Sequence, residues 1–348
     1  MMRFVITQSR KIVLLVFLAM LAACGGSGII VQAKGTPTPE PPIILTASPI
    51  PAPDMAYLVR GDEITESMGA RVEDRISSLS AAAGNGFIDL SEISESELEL
   101  RAKVVFFLPP DPGVNDLAAR YPDVQFVTVG IHGLSEADNL TRIGPDGLRA
   151  DQIGFIAGVL AAAVTPDWRV GAVSVQNSGE EHASNLAFQN GVMFYCGLCR
   201  PAYPPFHSYP LGVEASSEEF SAVQDAIAAL TNLEVDTIFL SPGLSPKTSA
   251  EILEDPGLSY IGSESPGEDL GGKWIATVRA APELAITEIW DRIMMGESGG
   301  TLSMPIIIED INPERLTPGR EAWVLEILQD LMDGYIDTGV DPITGIAH

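Results

Sequence analysis

Short apolar runs alternate with longer amphipathic stretches from residue 55 to the end of the chain. The runs at 55–61, 87–93, 102–108, 124–130, 169–176, 236–242, 258–264, 274–279 and 304–310 read as strands, and a weaker one falls at 206–210. Between them, apolar residues at helical spacing predict helices over 67–83, 113–120, 149–164, 181–195, 218–233, 248–253, 282–295 and 321–335. The segment Gly84-Asn85-Gly86 stops the first of these, and Pro282 stands in the first turn of the seventh. Strands bounded by helices at this spacing predict an α/β chain with parallel sheets covered on both faces. About ten strands exceed one small sheet, so two doubly wound lobes with a cleft between them are expected.

The first 54 residues follow another pattern. Residues 1–11 are short and basic, and 12–23 (IVLLVFLAMLAA) form an apolar run of 12 residues. That run is shorter than the ~20 residues of a membrane span and fits the core of an export signal. It ends in Leu21-Ala22-Ala23-Cys24-Gly25, which is similar to a bacterial lipobox. The expectation is a signal peptide over 1–23, with lipid carried on Cys24. Residues 24–54 are rich in proline, a composition that favours an extended tether. The chain would then sit at the extracytoplasmic face of a cell membrane, held by lipid rather than by a span.

Charge narrows the partners. The 348 residues carry 20 Lys and Arg against 47 Asp and Glu, a net charge of −27. The basic residues Arg3, Arg10 and Lys11 all fall in the signal segment, so the remainder is more acidic still. No excess of cations exists to neutralise phosphates, which excludes nucleic acid as a partner. With 46% hydrophobic residues the chain can bury a core.

Several segments resemble, in order, the basic membrane protein (BMP) family. Tyr121-Pro122-Asp123-Val124-Gln125-Phe126-Val127 is similar to its YPDVKFV strand entry. Residues 151–162, DQIGFIAGVLAA, are similar to its EEGAFLAGVLAA helix, and Arg169-Val170-Gly171-Ala172-Val173 to the strand after it. Phe188-Gln189-Asn190-Gly191 and Tyr260-Ile261-Gly262 also fit. The resemblance implies a periplasmic-binding-protein type I fold with a hinged cleft. It implies a lipoprotein that binds a purine nucleoside and hands it to an ABC permease. The loop at 61–68 and the loop at 262–269 depart from the family's ligand loops.

In a two-lobed α/β protein the ligand sits outside the carboxyl ends of the strands. That rule selects Asp62, Gln176, Glu264 and Arg279 as candidate ligand-binding residues, with Asp151 at the start of the family-like helix and Phe107 as a stacking ring. For Asp151, helix capping competes with ligand contact. For Phe107, core packing competes with stacking, and Tyr57 and Phe206 are further rings to weigh.

Cys196-Gly197-Leu198-Cys199 closes a helix rather than opening one. That order favours a local structural disulfide over a redox site. The run 84–92 has the back half of a calcium loop, but alanines stand where its first carboxylates belong. No nucleophile, phosphate-loop or zinc-protease motif occurs. The expectation is therefore a binding protein with no catalytic residue, metal or cofactor. A ligand sensor that signals to a membrane receptor is the alternative to transport.

Overall fold

The computed structural model describes residues 54–252, 257–267 and 272–348. The expected signal peptide, Cys24 and all but the last residue of the tether lie outside them. Two six-stranded sheets organise the chain.

The first lobe begins with β1 (Met55–Val59), α1 (Glu66–Ala83), β2 (Gly86–Leu90), α2 (Glu95–Leu100) and β3 (Ala102–Phe107). It continues with α3 (Val114–Arg120), β4 (Gln125–Val129) and β5 (Leu140–Ile143). The chain then enters the second lobe with α4 (Ala150–Val164), β6 (Val170–Val175), α5 (Gly179–Cys196), β7 (Leu211–Ala215) and α6 (Phe220–Thr231). β8 (Thr237–Leu240), α7 (Pro246–Ile252), β9 (Ser259–Gly262) and β10 (Trp274–Ala280) follow. It returns to the first lobe for α8 (Pro282–Met294) and β11 (Gly300–Leu302), and ends in the second with β12 (Ile306–Glu309) and α9 (Pro318–Met332).

The strand orders are β2-β1-β3-β4-β5-β11 and β7-β6-β8-β9-β10-β12. Every pairing is parallel except β10 with β12. β12 enters the edge of the second sheet from β11 of the first, through the three residues 303–305. Three segments pass between the lobes, at 144–149, at Ala281 and at 303–305. They are tied together, since Gly144 N donates to Leu302 O (2.8 Å) and Ala281 N donates to Pro305 O (2.8 Å).

One apolar core runs through both lobes, from α1 and α8 on the first sheet to α4, α5 and α9 on the second. Two outer cores lie under α2 and α3 and under α6 and α7. Residues 150–163 of α4 are buried without exception. Small residues make that depth possible. A Cβ on Gly154 would stand 2.1 Å from Ser184 O, and one on Gly158 2.1 Å from Phe188 O. The backbones of α4 and α5 are therefore in near contact, which any larger residue would prevent. None of the helices among the described residues is long and apolar enough to cross a membrane.

Four expectations need correction. The strand expected at 206–210 lies instead at Leu211–Ala215. Pro204, Pro205 and Pro210 lack amide donors, so the ladder starts after the last of them. α2 was not expected, because ESELEL shows no apolar face; its Ser94–Glu97 capping box supplies the start signal. β5 and β11, of four and three residues, are too short for a periodic signal.

Candidate functional site

A cavity of about 940 Å³ opens between the lobes. Its walls come from the carboxyl ends of both sheets. After β1, the loop and first turns of α1 contribute residues from Asp62 to Arg71. After β6 come Ser178, Glu180 and Glu181, after β8 Pro242, Gly243, Ser245 and Lys247, and after β9 Ser263 and Glu264. Arg279 and Ala280 end β10, the first crossover adds Leu148, and α4 begins with Ala150. No aromatic ring stands among the described residues that line it.

Glu264 joins the two walls. It leaves β9 of the second lobe, is 5% exposed, and reaches the N-terminal end of α1 in the first. Its Oε1 accepts a hydrogen bond from Thr65 Oγ1 (2.7 Å). Its Oε2 accepts from Ser67 Oγ and lies 3.4 Å from Arg71 Nη1. Thr65 also caps α1, since Met68 N donates to its hydroxyl at 3.3 Å. Ser67 and Arg71 are four residues apart and so share one face of that helix. The other two guanidinium nitrogens of Arg71 are buried and have no hydrogen-bond partner among the described residues.

Arg279 is committed to protein partners, Glu309 in its own lobe and Glu283 at the start of α8 in the other. Its guanidinium donates to Glu309 (2.5 and 3.1 Å), to Glu283 (2.7 Å) and to Ala280 O (3.0 Å). Burial opposes its charge, but the bonds to Glu309 and Glu283 outweigh this and raise its pKa. Arg279 thus fixes the end of β10 to α8 and β12.

Glu181 forms the floor of the second lobe. Val175 N (3.1 Å), Gly243 N (2.8 Å) and Ser241 Oγ all donate to its carboxylate, which ties the β6 and β8 loops together. Burial pushes its pKa up despite these bonds. Its neighbour Glu180 accepts no hydrogen bond among the described residues. Burial raises its pKa, Glu63 across the cleft and Asp151 push the same way, and His132 acts against them.

Of the residues selected from sequence, the cavity brings together Asp62, Glu264 and Arg279. Phe107 is elsewhere. It is fully buried in the outer core of the first lobe, stacked on Phe126 with centroids 6.2 Å apart. Strand β3 is covered on both faces, so consecutive phenylalanines can both be core. Tyr57 lies in that same core, and Phe206 is exposed beyond α5. Asp151 is also fully buried. Arg149 donates to it twice at 2.9 Å, and Thr338 Oγ1 donates at 2.9 Å, so it ties the first crossover to the C-terminal segment. Gln176 is exposed and donates to Glu214 O (3.3 Å) beside the edge strand β7. Sequence reasoning missed Thr65, Ser67, Arg71, Glu180 and Glu181. A Thr-x-Ser-x-x-x-Arg pattern opening the helix after the first strand was the available signal.

Cys196 and Cys199 are disulfide-bonded at the end of α5, with Cα atoms 5.1 Å apart. They lie far along α5 from the end that meets the cavity.

The architecture is matched among solved structures. An ABC-transporter solute-binding protein from Aeropyrum pernix K1 superposes with a TM-score of 0.61 at 12% identity, over 83% of this chain and 94% of that one. A transcriptional activator of the comK gene from Bacillus halodurans gives 0.60 at 16% identity, over 83% and 99%. A periplasmic ribose ABC transporter protein from Conexibacter woesei DSM 14684 gives 0.53 at 16% identity, over 78% and 96%. The fold is periplasmic-binding-protein type I. No protein-family model matches the chain, and no curated sequence does.

Proposed function

We propose that this chain is an extracytoplasmic solute-binding protein of an ABC importer, anchored through lipid on Cys24. The observation that carries the reading is the cavity of about 940 Å³ between two hinged sheets, lined from both sides by polar residues. A solute bonded to both walls would hold the lobes together, and the closed shape would be what a permease recognises. The similar solute-binding proteins support this reading through their shared fold. The apolar run, the small residues before Cys24 and the proline-rich tether support the anchor.

The resemblance to the BMP family implies a purine nucleoside. Among the described residues the lining gives a base no ring to stack on, so the proposal names a small polar solute and the experiment decides its class. The full chain is purified from its own cells and denatured, and the released small molecules are identified by mass spectrometry. About one solute per chain supports the reading. A chain that releases nothing and binds no nucleoside, sugar or amino acid in a thermal-shift screen refutes it. Acyl-chain labelling that persists in Cys24→Ser would refute the anchor.

A further inference from the structure

The carboxylate of Glu264 is seated as a ligand's would be. Both of its oxygens have separate donors, Thr65 on one and Ser67 with Arg71 on the other. All three donors belong to the opposite lobe. The seat is the N-terminal end of an 18-residue helix, where the macrodipole favours an anion. Among the described residues two buried nitrogens of Arg71 have no partner, so within them the seat holds more donors than Glu264 uses. Such a constellation is built for a planar carboxylate.

We propose that this seat is a carboxylate subsite, that Glu264 fills it when no solute is present, and that the solute is a small molecule bearing both a carboxylate and an ammonium group, an amino acid being the simplest. This rests on the solute-binding reading and gives it a substrate class. The solute's carboxylate takes the seat of Thr65, Ser67 and Arg71 and displaces Glu264. Its ammonium meets the second wall, where Glu180 accepts no hydrogen bond among the described residues and Glu63 faces it across the cleft. A neutral nucleoside would leave the donors of Arg71 and the charge of Glu180 equally uncompensated.

Glu264 is then an internal competitor. Its occupancy lowers the apparent affinity for the solute, as any state that must be vacated before binding does. This gives the proposal a sign that a direct ligand contact would not have. Removing the charge from a contact residue weakens binding, whereas removing it from a competitor strengthens binding.

The test uses the full chain, freed of solute by dialysis, in thermal shift and calorimetry. The probes are the twenty L-amino acids, the carboxamide of each one that binds, adenosine, D-ribose and inorganic phosphate. We expect at least one amino acid to bind, and its carboxamide to bind at least about tenfold more weakly. Glu264→Gln should lower the Kd of that amino acid by about fivefold or more. Arg71→Leu should raise it by at least about tenfold. A carboxamide that binds as well as its acid, or a Glu264→Gln variant that binds more weakly, overturns the proposal. Binding of adenosine, ribose or phosphate without any amino acid overturns it too, and leaves the solute-binding role standing. A panel in which nothing binds overturns both. Should Glu264→Gln not fold, the acid and carboxamide comparison on the unaltered chain still decides.

Discussion

The contact between α4 and α5 allows a sharp test, because backbone meets backbone there. In Gly158→Ala the new Cβ would fall 2.1 Å from Phe188 O and 2.9 Å from Val192 N. Carbon and oxygen need more than 3 Å, so the helices must part by about 1 Å along a face where α4 is wholly buried. Both neighbours are backbone atoms, not flexible side chains that could swing away. Overpacking of this kind costs about 1–3 kcal/mol, and the rigid surroundings place Gly158 at the upper end. Replacing glycine by alanine inside a helix returns about 1 kcal/mol. The net loss is about 2 kcal/mol. At about 2–4 °C per kcal/mol for a domain of a few hundred residues, Tm should fall by roughly 4–8 °C. Gly319→Ala is the control, since its Cβ meets nothing within 4 Å in the first turn of α9. Differential scanning calorimetry of the two variants decides the matter. A Gly158→Ala Tm equal to or above that of the unaltered protein would refute the close-contact argument. So would an equal loss in Gly319→Ala.

Three further outcomes are expected. Arg279→Met leaves the buried Glu283 without its partner and should cost about 3 kcal/mol, read by urea unfolding; an unchanged midpoint would show that the network carries no weight. Glu180 has a raised folded-state pKa, so it holds its proton at pH values where the unfolded chain has lost it. Its contribution to stability is therefore present at low pH and lost as pH rises from the ordinary glutamate range through the folded value. Glu180→Gln should thus raise Tm relative to the parent at pH 8, with the gap shrinking toward pH 4, and a gap independent of pH would contradict this. Removing the disulfide in the double variant Cys196→Ser, Cys199→Ser opens a very short loop and should cost about 2 kcal/mol, with solute affinity unchanged. A changed affinity would tie the end of α5 to the cleft.

Periodicity made the architecture legible. Runs such as 104–108 and 170–173 are continuous and apolar because both faces of their sheets are covered, and helices of the right length separate them. The glycines of α4, four residues apart, mark a helix that another backbone must approach. The short elements were hidden for a reason equally physical. β5, β11 and α2 have too few residues to repeat a pattern, and their positions are held by neighbours and caps.

Much less of the candidate site could be read along the chain. The rule that ligands sit at strand ends found Asp62, Glu264 and Arg279, because strand ends are themselves visible in sequence. It also selected Gln176, which is exposed beside β7, and Phe107, weighed as a stacking ring, continues an apolar strand whose two faces are both interior. Asp151 and Arg149 are only two residues apart, yet the third partner, Thr338, comes from the far end of the chain. The decisive arrangement spans more still. Thr65, Ser67 and Arg71 meet Glu264 across 199, 197 and 193 residues. Local sequence determines that α1 begins with hydroxyls and an arginine on one face, and that a glutamate follows β9. Only the three crossovers, which set the two sheets with their carboxyl ends toward one cavity, decide that these groups meet. A hydrogen bond needs atoms within about 3 Å, and no local preference of either segment carries that distance.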